Sequence, residues 1–76
     1  MWRWIETRRG TLIDVGRVES IRVTKDDFGE FQIWIRTTSK SDYLYDKFET
    51  LEDAKEELRR LAEAINDMME VSREQV

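Results

Sequence analysis

Seventy-six residues, 39% hydrophobic and 39% charged, suffice for one small domain with a thin core. Cysteine and histidine are both absent, which excludes disulfide staples, thiol and imidazole nucleophile systems, and the usual nitrogen and sulfur ligands of zinc, copper or haem. The net charge of −4 and pI near 4.8 argue against duplex DNA or RNA as a partner, and no apolar run approaches the roughly 18–20 residues that cross a bilayer.

The first strand is expected over residues 2–7, where Trp2 and Trp4 share one face and Arg3 takes the other. Arg8, Arg9 and Gly10 read as the turn of a hairpin, returning through a short strand over 11–15, with Gly16 as a bend. A third strand over 18–25 alternates Ile21 and Val23 with Ser20, Arg22 and Thr24, and a fourth over 30–37 alternates Phe31, Ile33 and Ile35 with Gln32, Trp34 and Arg36. The intervening Asp27-Phe28-Gly29 matches a kinase tripeptide but has none of its sequence context, and reads as a hairpin turn. A further turn at 38–41 leads to a fifth strand over 42–48, which period two arranges with Tyr43 and Tyr45 on one face and Leu44 and Phe48 on the other.

From Leu51 the period changes. Leu51, Ala54, Leu58, Leu61, Ala62, Ile65, Met68 and Met69 trace one stripe of an amphipathic helix over about 51–70. Thr50 is a good N-cap, and Glu52 and Asp53 complement the positive end of the helix dipole. Acidity concentrates here: residues 1–48 hold nine Lys/Arg against eight Asp/Glu, whereas residues 49–76 hold four against nine. The expected fold is therefore α+β, a curved antiparallel meander of four or five strands with one C-terminal helix across one face, in a single domain spanning 1–76.

The segments W-I-x-T-x-x-G-x-L-I-D-V (Trp4–Val15), V-x-x-I-x-V (Val18–Val23) and F-x-T-x-x-x-A-x-x-x-L (Phe48–Leu58) resemble a group of short bacterial and phage proteins. These pair a small β-meander with a C-terminal helix, in part like a pleckstrin-homology barrel. The shared residues are turn glycines and core apolars, so the resemblance implies a fold and carries over no functional residues.

No residue set points to catalysis, to a cofactor or to a metal. The abundant carboxylates read as a solvated helix face, among them Glu56 and Glu63 as a surface for a basic partner. The aromatic residues carry the functional reading. Strand alternation puts Trp34 opposite Ile33 and Ile35, and one helix covers only one face of a sheet. Trp2, Trp4 and Trp34, with Arg22 and Arg36 at the rim and Tyr43 and Tyr45 as further candidates, are read in three ways: as core, as a self-association surface, or as a stacking site for a ligand. The expected function is non-catalytic binding by a homo-oligomer in the cytoplasm, with a host protein as a further partner. The alternative is sequestration of a nucleotide-like molecule at a subunit interface, and a carboxylate-only hydrolase ranks last.

Overall fold

The computed structural model describes residues 4–74, with side chains as far as Met68. Its order is β1 (Trp4–Glu6), β2 (Leu12–Asp14), a 3-10 turn (Val15–Arg17), β3 (Val18–Lys25), β4 (Phe31–Thr37), β5 (Asp42–Phe48) and α1 (Leu51–Glu74). The α+β reading holds, but the strands form two sheets: a β1–β2 hairpin and an antiparallel β3–β4–β5 meander. Gly16 sits in the 3-10 turn, whose start is capped by the Asp14 carboxylate accepting from the Gly16 N–H at 2.9 Å.

Each turn is closed by residues suited to it. Gly10 and Gly29 hold φ of +85° and +83°, a region that costs an L-residue strain. Asp26 Oδ1 accepts from both the Phe28 and Glu30 N–H groups at 2.9 Å, which is the local role of an aspartate that opens a turn. Phe28, at the tip, is 93% exposed. Two threonines are buried at turns with their hydroxyls engaged: Thr7 Oγ1 accepts from the Thr11 N–H, and the Thr37 and Ser39 hydroxyls lie 2.8 Å apart.

The core lies between the meander, the hairpin and the helix. Ile33 and Ile35 on β4, Ile5 and Ile13 from the hairpin, Val15 from the turn, and Leu61 and Ile65 on α1 form one buried cluster. The helix begins as its residues suggest, with the Asp53 N–H donating to Thr50 Oγ1 at 3.2 Å. It continues to Glu74, beyond the expected end near 70.

Two bulges correct the period-two reading. Across β4 and β5 the register runs from Ile33 opposite Asp46 to Trp34 opposite Leu44, leaving Tyr45 without a cross-strand partner. The extra residue reverses the alternation, so Phe48 joins Tyr43 and Tyr45 against the core instead of sharing a face with Leu44. A second irregularity between Val18 and Ser20 skips Glu19 and returns Val18 to the core side. The hairpin approaches β5 at the first bulge, where the Arg8 N–H donates to the Tyr45 carbonyl at 2.9 Å and the Arg8 guanidinium lies 3.7 Å from Asp46.

Tyr45 is half-buried against the core, within electrostatic reach of Glu57 and Arg60 on α1. Burial pushes its phenol above the ordinary value, the Glu57 and Asp46 carboxylates add to the shift, and Arg60 opposes it. The folded state therefore resists losing this proton. Its contribution to stability is complete below the unfolded value near 10 and is lost as pH rises through the higher folded value. Tyr45→Phe is expected to flatten the alkaline limb of a stability-versus-pH curve measured by urea unfolding. An unchanged limb would show that the phenol titrates alike in both states.

Candidate functional site

The sheet face away from α1 is assembled by register. Arg22, Trp34 and Leu44 are cross-strand neighbours, and Arg36 lies opposite Asp42. Asp42 accepts a charge-assisted hydrogen bond from Arg22 at 3.3 Å and lies 3.9 Å from Arg36, so one carboxylate sits between two guanidiniums beside the indole. The Trp34 N–H donates to Gln32 Oε1 at 3.0 Å, which directs the ring's polar edge along its own strand. Exposed pairs of this kind add little to stability. They do hold positive and negative groups on the same sheet face as an aromatic ring.

The turn of the hairpin borders this face at its β5 side, where Thr7, Arg9 and Thr11 share a cleft with Trp34. Trp34 is half-buried, and with Thr7, Arg9, Thr11, Asp42, Tyr43 and Leu44 it lines a shallow cleft of ≈ 190 Å³. Trp4 is elsewhere. It stands 40% exposed on the outer side of β1 and lines a separate cleft of ≈ 360 Å³ whose other walls include Leu12, Asp14, Arg17, Thr37, Ser39 and Tyr43. The two tryptophans thus line different clefts, and Tyr43 contributes to both. Trp2 lies outside the described residues.

Tyr43 and Tyr45, which the sequence placed among the surface candidates, are half-buried and pack against the core. Among the helix carboxylates, Glu56 is engaged by Arg60 at 3.6 Å, and Glu57 by the same guanidinium at 3.8 Å, while Glu63 is exposed. Met68 is half-buried against the core, and the side chain of Met69 lies outside the described residues.

The sequence reading passed over four cations that the tertiary structure brings to concave surfaces. Arg9 enters the Trp34 cleft and Arg17 the Trp4 cleft, while Lys55 and Arg59 border a groove between α1 and β3. For Lys55 and Arg59 a signal was available, because residues four apart share a helix flank. For Arg9 and Arg17 none was, since their positions depend on where the hairpin docks.

Among the described residues no group of three or more Asp or Glu is arranged to hold a metal ion, and no helix is long and apolar enough to cross a membrane. No known family matches the sequence, and neither a curated protein nor a solved structure is similar to it. What the fold and the surface define is a small α+β domain in which two clefts are lined by aromatic rings and an arginine, and a third groove by apolar side chains and two cations.

Proposed function

We propose that this chain is a non-catalytic binding module that associates with a second copy through the sheet face carrying Trp34. The observation that supports this most is the Arg22–Asp42–Arg36 arrangement beside a half-buried indole. A two-fold axis through such a face sets cations of each copy against the carboxylate of the other, and the rings of the two copies against one another, which makes the surface self-complementary. The acting partner is a host protein, in keeping with the resemblance to short phage and bacterial proteins, and the compartment is the cytoplasm. Sedimentation of the wild type and of a Trp34→Glu variant over a range of concentrations tests the self-association.

A second reading is favoured by the Trp4 cleft. At ≈ 360 Å³ it falls within the size range of small-molecule sites, and it combines two aromatic rings, the Thr37 and Ser39 hydroxyls and the Arg17 cation with one carboxylate, Asp14, which is engaged by the Gly16 N–H. Those are the elements that hold a nucleotide-like anion by stacking and charge-assisted hydrogen bonding. Mass spectrometry of the denatured preparation separates the readings, because sequestration leaves an ultraviolet-absorbing small molecule in stoichiometric amount and protein binding does not.

A further inference from the structure

We infer that the groove between the free edge of β3 and the adjoining flank of α1 receives an extended, acidic protein segment bearing apolar side chains. Three features of the groove lead there.

The first is the edge itself. β3 ends the meander, and among the described residues no strand pairs with its outer side. An edge strand presents a row of backbone donors and acceptors that another extended segment can satisfy. The irregularity at Glu19 confines the regular part of this edge to residues 20–25, enough for a short segment and poor for a long one.

The second feature is an apolar floor beside that edge. Ile21 from β3 and Leu58 and Ala62 from α1 line a groove of ≈ 410 Å³, where side chains of an added strand would point.

The third is charge. Lys55 and Arg59 line the same groove, both are exposed, and neither forms an ion pair among the described residues. Arg60 on the opposite flank is instead held by Glu56 and Glu57. A helix with an acidic balance thus turns two uncompensated cations toward the sheet edge. Lys55 and Arg59 are separated by about 6 Å of helix rise, and alternate side chains of a strand repeat every ~6.6 Å. Two carboxylates spaced i, i+2 match that interval on an added strand that runs along the helix axis.

The same charges disfavour the obvious rival occupant. If two copies joined β3 to β3 about a two-fold axis, their helices would lie side by side on one face, with Lys55 and Arg59 of each copy directed at those of the other. Like charges brought together in this way oppose pairing, whereas an acidic segment neutralises them.

The inference rests on the chain being a binding module but not on the Trp34 face, which stays open when the groove is filled. The test uses a fluorescein-labelled nonapeptide, TVTETETVT, which places valine, glutamate, glutamate and valine on one face when extended. Anisotropy is expected to saturate at low salt, and amide NMR shifts to concentrate in β3 and around Leu58 and Ala62. The Lys55→Glu, Arg59→Glu double variant should weaken binding at least about tenfold, as loss of charge-assisted contacts does. Both positions are exposed, so an unchanged far-ultraviolet circular dichroism melt would show that the fold is kept. The control peptide TVTKTKTVT should not bind the wild type and should gain affinity for the double variant. Absence of saturation at millimolar peptide would overturn the inference. So would equal binding of the lysine peptide, shifts centred on Trp34, or concentration-dependent pairing of copies through β3. None of these results bears on the sedimentation of Trp34→Glu.

Discussion

Leu61→Ala is expected to cost about 2–5 kcal/mol, a large part of what a domain of this size has to lose. Leu61 is buried at the centre of α1 among Ile33, Ile35 and Ile65, and the core has no second layer that could close over the missing methyl groups. The cost is a transfer term for the lost atoms plus a cavity that isoleucines, stiff at χ1, fill poorly. Leu58, on the same stripe, is only half-buried and should lose less, and Leu51, 41% exposed, should change stability by less than about 1 kcal/mol. Urea unfolding of the three variants gives the comparison directly. If Leu61→Ala and Leu51→Ala shifted the midpoint equally, the helix would not be anchored on the sheet through this stripe.

The second large effect is expected at Trp34. In a pair of copies joined through the outer sheet face, Trp34→Glu places an unpaired charge in the contact. An uncompensated buried charge costs about 3–5 kcal/mol, which corresponds to a roughly 100-fold or greater weakening of association. Sedimentation should then report a monomer at concentrations where the wild type is paired. Because Trp34 is half-buried within the chain itself, the substitution also alters the cleft it lines with Thr7 and Thr11. Arg36→Glu provides the check. Arg36 is exposed and its removal leaves the indole in place, yet it reverses a charge at the rim and should weaken pairing while the melt is unchanged. A wild-type protein that is monomeric at high micromolar concentration would remove self-association, and leave the Trp4 cleft as the stronger aromatic site.

Local patterning by itself determined the element order, the turns and the helix. Ile33 and Ile35 alternate with Trp34 and Arg36 because a strand repeats every two residues, and Leu58, Leu61 and Ile65 share a stripe because a helix repeats every 3.6. Those periods are properties of the backbone, so they survive without knowledge of neighbours. The same is true of Thr50 as a cap and of Gly10 and Gly29 at turns, whose roles involve atoms only a few residues away.

Only the tertiary structure decided the rest, and in each case the reason is a contact between distant segments. The bulge at Tyr45 exists because β5 pairs with β4 in a register that leaves one residue over, and that single residue moves Phe48 from the outer face to the core. The placement of Trp4 away from Trp34 follows from where the hairpin docks, marked by the Arg8 N–H on the Tyr45 carbonyl, since two strands of three residues carry no local signal for their partner sheet. The cationic groove arises the same way. Lys55 and Arg59 share a helix flank by periodicity alone, but that this flank faces the open edge of β3 and not the closed side near β5 depends on how the helix crosses the sheet, a choice made by the packing of its buried stripe.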